Sequence, residues 1–469
     1  MAKTLKVGVC GAGAMGSGIA QVAAQAGCTV VVYDTFEPSR DKSEAGIGKD
    51  LAKSVERGRL TQDGADAVRA SLSWTGAVAD LAGCDLVIEA IIEQFDVKQG
   101  LFAQLEEVLR PDAVIASNTS SLPIGRLAKG LKHPERFLGM HFFNPATAMK
   151  LVEVISGPAT PPELGARIAG IAKAWGKVAV PVADVPGFIV NRVARPFYGE
   201  AFRARQEGVA AEVIDHLFKA AAGFRMGPLE LTDLIGQDVN FAVASSVWQS
   251  YFGQTRFVPQ LGQAALVDAG WLGRKTGRGV YDYAAGQGPT APAPVEAEPL
   301  ANAPARPEAP SPALAPIEIS GVIVRFTRGR TARAEAAEAG QPVALLDWFD
   351  GANATAAGFA ASDEGAAALA AGLLAAWGLQ PFRLADRPGL IVTRTLAQIA
   401  NAAGDAVHEQ VSDRAGIDSA LRFGANYPFG PFAWSEKVGA AALAATLTAI
   451  TAATGQPMYH PSEYWSAQL

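Results

Sequence analysis

The stretch VGVCGAGAMGSGIAQVAAQAGCTVVVYD, from Val7 to Asp34, decides the fold. Its start reads as a strand, GAGAMG as a tight turn, GSGIAQVAAQAG as a helix and TVVVYD as a second strand. Gly11, Gly13 and Gly16 stand in G-x-G-x-x-G spacing. The first glycine allows the turn, the second lets backbone approach a pyrophosphate, and the third lets helix and strand pack closely. The phosphates then meet unpaired N–H groups at the helix N-terminus. Gly11, Ala12, Gly13, Ala14, Met15 and Gly16 are therefore the candidate dinucleotide cradle. Asp34 can accept hydrogen bonds from the adenosine ribose and would repel a 2′-phosphate, which favours NAD over NADP. A lone GxGxxG is weak; here strand, turn, helix, strand and acid fall in order. FAD, or a Rossmann-like domain that has lost its nucleotide, are the alternatives.

Outward from this stretch, residues 5–180 alternate apolar strands (LKVGVC, TVVVYD, CDLVIEAI, AVIASN) with helical patterns such as VKQGLFAQLEEVLR. That alternation implies an α/β fold, a Rossmann-type parallel sheet covered on both faces, over residues 1–184. Residues 185–284 read as an all-α domain. Residues 285–316 are rich in proline and alanine and read as an extended linker. Residues 317–385 form a small α/β segment, and 386–469 repeat the all-α domain. DVPGFIVNRVARPFYGEAF, from Asp184, returns as DRPGLIVTRTLAQIANAAG, from Asp386; MGPLELTDLIG, from Met226, returns as FGPFAWSEKVG, from Phe429. An internal duplication explains both. Asn191 becomes Thr393 in the second copy, which also lacks a GxGxxG and is expected to be structural.

The chain has 469 residues, a formal net charge of -6 and 49% hydrophobic residues. No basic stripe exists to neutralise phosphates, so nucleic acid is not the expected partner. No run of about 18 apolar residues free of charge is present, so no membrane span is expected. The start lacks the apolar core and cleavage site of a signal peptide. Cys10, Cys28 and Cys84 are too few for a disulfide framework and lack metal-ligand spacing, so no metal is expected and cytoplasm is the default.

His141 lies in HFFNPATAMKLVEV, one of five histidines. A lone histidine beside phenylalanines is more often structural. Here Glu153 lies beyond a loop, on an apolar segment (LVEVI) that can run back beside it, and a carboxylate there is costly without a partner. SNTSS, holding Asn118 and Ser120, follows the strand AVIA and should face a ligand at the carboxyl end of the sheet. An enzyme moving hydride from an alcohol to NAD needs a base. Histidine titrates near neutral pH, and a carboxylate on its second nitrogen fixes the tautomer.

With these residues in view, the chain resembles the 3-hydroxyacyl-CoA dehydrogenase family. The resembling stretches are GAGAMGSGIA, IEAIIEQFDVKQGLF, SNTSSLPI, RFLGMHFFNP, MKLVEVI, DVPGFIVNR and GRKTGRGVYDY. The duplicated helical domain resembles the long bacterial members that act on 3-hydroxybutyryl-CoA or 3-hydroxyadipyl-CoA, in fatty-acid or phenylacetate catabolism. The resemblance implies NAD-dependent oxidation of a (3S)-3-hydroxyacyl-CoA to the 3-oxoacyl-CoA. His141 is then the base and Glu153 orients it. Ser120 and Asn191 hold the substrate oxygen and acyl group. Asn144, Glu93 and Lys98 lie near the nicotinamide end, and Lys275 reaches back to the cofactor. Lys53 and Arg57, in the helical insert, are candidates for the CoA phosphates. The family implies a homodimer, while internal duplication allows a monomer. A dehydrogenase of a free hydroxy acid and a non-enzymatic NAD-binding protein are the competing readings.

Overall fold

The computed structural model describes residues 4–286 and 288–468; Met1–Lys3, Gln287 and Leu469 lie outside the described residues. The chain divides into two compact units, Met1–Ile189 and Val190–Leu469. Among the described residues no single helix is long and apolar enough to cross a membrane.

The first unit is built on eight strands: β1 (Lys6–Cys10), β2 (Thr29–Tyr33), β3 (Leu72–Thr75), β4 (Leu86–Glu89), β5 (Val114–Ser117), β6 (Phe137–Phe142), β7 (Leu151–Ser156) and β8 (Val178–Ala183). Their order is β3-β2-β1-β4-β5-β6-β7-β8. All neighbours are parallel except β6 and β7. The strands are near-continuous apolar runs because helices cover both faces. The helix Ala14–Gln25 buries Ile19, Ala20 and Ala23, in one core with Val7, Val9, Val30 and Val32.

The second unit holds a five-stranded sheet: β9 (Ile317–Ile319), β10 (Val322–Phe326), β11 (Val343–Leu346), β12 (Ala356–Ala361) and β13 (Gln380–Arg383), in the order β13-β12-β11-β10-β9. Its pairing from β10 to β13 runs parallel, antiparallel, parallel, as from β5 to β8. The helices between correspond as well: Ile124–Ala128 to Ala332–Ala339, and Pro162–Ala174 to Glu364–Ala376. The Asp184 carboxylate accepts the N–H groups of Ile124 (2.8 Å) and Gly125 (2.7 Å); Asp386 accepts those of Ala332 (2.6 Å) and Arg333 (3.0 Å). The repeat visible from Asp386 therefore extends upstream to β10.

The helical copies share their caps. Asp215 accepts Leu229 N–H (2.9 Å) and Glu230 N–H (2.8 Å), at the start of the helix Pro228–Ile235. Asp418 accepts Phe432 N–H (2.9 Å) and Ala433 N–H (3.0 Å), at the start of Pro431–Val438. Each carboxylate satisfies the orphan donors of a first helical turn. A Cβ on Gly227 or Gly430 would lie 2.3 or 2.1 Å from its aspartate, so only glycine fits before each helix.

Residues 288–316 contain no helix or strand, and the segment is pinned. The indoles of Trp377 and Trp348 donate to the carbonyls of Pro304 (2.7 Å) and Pro310 (3.0 Å). Ser311 Oγ donates to Val438 O at 2.5 Å. Proline carbonyls remain acceptors although the ring removes the donor.

The two helical copies pack on each other through buried charge. Glu200 accepts the Tyr459 hydroxyl at 2.7 Å and lies 2.9 Å from Arg394 Nε. Arg387 pairs with Glu207 (2.5 Å), Arg192 with Glu409 (2.9 Å) and Arg256 with Asp405 (2.6 Å). Glu200 and Arg394 are 2% and 3% exposed, so removing one strands the other in low dielectric. Glu200→Ala should cost about 3–5 kcal/mol of stability, measured by urea unfolding; a loss under about 1 kcal/mol, the range of a surface pair, would contradict this reading.

Candidate active site

The cradle forms for the reasons its glycines suggest. Gly11 has φ +105°, and a Cβ there would meet Ala90 O at 2.6 Å. A Cβ on Gly16 would lie 1.8 Å from Gly11 O. Gly13 differs: nothing lies within 4 Å of its would-be Cβ, so its open side faces free space. That space is a cleft of about 730 Å³ lined by Gly11, Gly13, Met15, Asp34, Ile91 and Val97, a size that suits a small-molecule cofactor. Ala12 lies in the same turn, and Ala14, the first residue of the helix, also lines the cleft. Asp34 Oδ2 accepts Ala12 N–H at 2.8 Å and Oδ1 accepts Phe36 N–H at 2.9 Å, so Asp34 braces the turn as well as lining the cleft.

At the carboxyl end of the sheet a buried charge network joins β4 to β5. Lys98, 1% exposed, holds Glu89 at 2.5 Å and Glu93 at 3.1 Å. Glu89 also accepts Ser117 Oγ (2.6 Å) and Ile91 N–H (2.7 Å). Glu93 accepts the Thr119 hydroxyl (2.6 Å) and Ser120 N–H (2.9 Å). Burial pushes the Glu93 carboxyl up, but Lys98 and these donors outweigh it, and its pKa lies below the ordinary 4.5. Its stabilising contribution is thus present above pH 4.5 and is lost as pH falls through the lower folded value. The network shapes the SNTSS loop: the Ser120 backbone is tied to Glu93 while its half-buried hydroxyl has no protein partner among the described residues. Asn118 Oδ1 accepts Phe142 N–H at 2.8 Å, tying that loop to the end of β6.

His141 and Glu153 are register partners across the antiparallel pair β6–β7. His141 Nδ1 lies 2.7 Å from Glu153 Oε2, and the Glu153 side chain is fully buried. The other carboxylate oxygen accepts Ile189 N–H at 3.0 Å. Phe143 and Phe188 flank the imidazole at 4.5 and 5.7 Å between ring centroids. With Nδ1–H given to the carboxylate, Nε2 is the acceptor, and it has no protein partner among the described residues. Lys177 Nζ holds the loop after β6 through the carbonyls of Ala146 and Met149. The arrangement can take a proton at Nε2 and hold the resulting imidazolium beside a carboxylate.

Other expected residues lie elsewhere. Asn144 is exposed and lines a second cavity, of about 410 Å³, with Gly13, Ser17, Lys42 and Asp50. Lys53 and Arg57, at the end of the helix Glu37–Glu56, are exposed and do not line that cavity; Lys42 does. In the second unit, Asn191 is half-buried in the helical turn Val190–Val193, and Lys275 pairs with Asp238 at 2.6 Å. Glu89, Ser117, Thr119, Phe188 and Lys177 were not singled out in the sequence. Glu89 left a signal: a carboxylate at the end of an all-apolar strand needs a buried partner.

The second α/β segment carries no dyad. Asp347 follows β11 and faces Gly358 (N–H to O, 2.8 Å), as His141 faces Glu153. Its fully buried carboxylate accepts the N–H groups of Ile391, Val392 and Thr393 at 2.8–2.9 Å and the Thr393 hydroxyl at 2.8 Å. The threonine that replaces Asn191 is thereby sealed into the structure.

Comparison with known proteins follows this layout. The family profile "3-hydroxyacyl-CoA dehydrogenase, NAD binding domain" matches residues 6–185. The C-terminal domain profile of the same family matches twice, at 187–283 and 389–468. A "3-hydroxybutyryl-CoA dehydrogenase reduced Rossmann-fold domain" matches 324–388. The chain is 43% identical to 3-hydroxyadipyl-CoA dehydrogenase of Escherichia coli K12, over 97% of this chain and 95% of that one. It is 43% identical to a probable 3-hydroxybutyryl-CoA dehydrogenase of Deinococcus radiodurans, over 60% of this chain and 100% of the relative. The crystal structure of a 3-hydroxybutyryl-CoA dehydrogenase from Escherichia coli K12 matches with TM-score 0.93 at 40% identity, covering 99% of this chain and 98% of that one.

The glycines give a test. Gly13→Val should leave thermal stability near wild type, because its side chain enters open cleft, yet weaken NADH binding at least roughly tenfold, about 1.4 kcal/mol. Gly16→Val should instead destabilise the fold. Equal NADH affinity in Gly13→Val and wild type, measured by fluorescence titration, would remove the cleft from consideration.

Proposed function

The chain belongs to the 3-hydroxyacyl-CoA dehydrogenase family and is an NAD-dependent oxidoreductase, and from that premise we propose that His141, Glu153, Ser120 and Asn191 carry its reaction on a short acyl-CoA with a six-carbon dicarboxylic chain. The His141–Glu153 contact carries this reading. The name of the full-length relative, 3-hydroxyadipyl-CoA dehydrogenase, supports the chain length; a 3-hydroxybutyryl group is the second reading, after the name of the structural match.

Gly11 to Gly16 and Asp34 hold the adenosine and pyrophosphate, and Glu93, Lys98, Asn118 and Asn144 border the nicotinamide end. NAD, when bound, accepts the hydride from C3 of the substrate. His141 Nε2 takes the C3 hydroxyl proton, so alcohol becomes ketone with one proton on the imidazole. Glu153 remains a carboxylate throughout; it holds Nδ1–H and lowers the energy of the imidazolium. The hydroxyl of Ser120 and the amide of Asn191 hydrogen-bond the substrate oxygen. In reverse, His141 returns the proton. Lys275 is assigned to the cofactor and Lys53 and Arg57 to CoA phosphates by family resemblance; Lys42 is an added candidate for the latter. Three buried free thiols suit a reducing cytoplasm. The second helical copy takes the place that a second subunit has in a homodimer of shorter relatives, so the long chain completes that contact by itself.

His141→Ala should lower kcat by roughly 10²–10⁴-fold in NADH oxidation with acetoacetyl-CoA; wild-type turnover in that variant would refute the assignment. The intact enzyme should reduce acetoacetyl-CoA and 3-oxoadipyl-CoA but not free acetoacetate. A chain ended at Ala285 exposes the surface that Arg394 and Tyr459 cover, and it should dimerise or aggregate. A monomeric, fully active truncation, read by light scattering and assay, would contradict the pseudo-subunit role.

A further inference from the structure

The loop 143–150, between β6 and β7, is exposed along most of its length. It opens with Phe143, whose ring centroid lies 4.5 Å from that of His141, and with Asn144, which lines the cavity of about 410 Å³ beside Gly13 and Ser17. Within the loop only Ala146 is buried. It rests on Gly18 of the helix Ala14–Gln25, where a Cβ would lie 3.1 Å from the Ala146 Cβ, closer than ordinary van der Waals contact. The loop therefore sits on bare backbone of the helix that opens the dinucleotide cradle.

Its second hold is Lys177, the residue before β8, whose Nζ donates to the carbonyls of Ala146 and Met149. No carboxylate faces this ammonium, and burial alone lowers its pKa. Taking a charge out of water is costly, and here two carbonyls of one loop compensate it. The strand itself does not require a lysine. AWGK (174–177) corresponds to AWGL (376–379) in the second α/β segment. Gly176 and Gly378 have φ +76° and +73°. The next N–H pairs alike in both: Val178 to Lys150 O (2.8 Å) and Gln380 to Thr355 O (2.9 Å). Leu379, 2% exposed, occupies the lysine's position. The loop there is held by other means. It buries Trp348 and Phe349, and Arg306 Nη2 donates to Asp350 O (3.3 Å) and Ala354 O (3.1 Å). The loop of the first copy lies open along a cavity, and its cation comes from the neighbouring strand.

We propose that Lys177 is a positioning residue of the reaction. It clamps the loop onto the dinucleotide helix, so that Asn144 stays beside the cradle and Phe143 against the imidazole while proton and hydride move. This rests on the reading of His141 as the base. Misplacement by about 1 Å, caused away from the chemistry, can cost about 10²-fold in rate.

The test is kcat per NADH site, with acetoacetyl-CoA as oxidant and sites counted by fluorescence titration. Lys177→Met keeps the apolar stem and removes the donors. Its kcat per site should fall roughly 10–100-fold, with the Kd for NADH within about threefold of wild type. Lys177→Arg, which still offers N–H donors, should recover most of the loss. Gly18→Ala presses on the loop from the opposite side. It should also lower kcat per site without lowering the melting temperature, since alanine favours helix over glycine; this variant serves if Lys177→Met does not fold. Wild-type kcat per site in folded Lys177→Met, or in Gly18→Ala should the former not fold, would overturn the proposal. So would a loss confined to melting temperature and to the number of NADH sites, which would make Lys177 purely structural. A fully active His141→Ala would instead refute the reading beneath it.

Discussion

A carboxylate with no exposed surface has to find its partners within the protein, and Glu153 finds them in His141 and the Ile189 N–H. The one antiparallel step in an otherwise parallel sheet meets that requirement. Turning β7 back along β6 sets residues 141 and 153 side by side in register. A slip of β7 by one residue would send Glu153 to the face away from His141. The loop between the strands is long, but Lys177 holds two of its carbonyls, so the hairpin is closed from outside its own turn. The geometry of the His141–Glu153 pair is therefore a property of sheet register.

The same register survives, with different chemistry, in the second α/β segment. Asp347 stands where the histidine would be and Gly358 where the glutamate would be. One carboxylate still meets the backbone N–H groups of the following PGxIV turn, as Glu153 meets Ile189 in the first copy. What both copies keep is the capping of chain turns: Asp184 with Asp386, and Asp215 with Asp418. What only one keeps is the imidazole. The second copy keeps the capping carboxylates and lacks the His–Glu pair.

Much of this was legible in the sequence because it depends on local spacing. The glycine cradle, Asp34, the strand alternation and the placing of Glu153 beside His141 all follow from periodicity and from the cost of burying a lone charge. The upstream reach of the duplication was not legible. Position for position, ALLDWF (344–349) shares with LGMHFF (138–143) only the final phenylalanine, and the likeness lies in strand pairing, which composition does not encode. Glu89 and Lys98 form one network, but only Lys98 was singled out, since Glu89 reads as the end of an apolar strand. The contacts of Arg394 with Glu200 join residues almost two hundred positions apart, beyond the range of any pattern argument. The composition of the Pro-rich segment points to an extended linker; it does not show which of its carbonyls the indoles of Trp348 and Trp377 hold.

That anchored strap has a thermodynamic corollary. Separate subunits exchange with their free forms, so the folded fraction of an assembly depends on how much protein is present. Tethering two lobes through a fixed span replaces that dependence with a constant effective concentration. In this chain the meeting of the helical copies is unimolecular, and dilution leaves it intact.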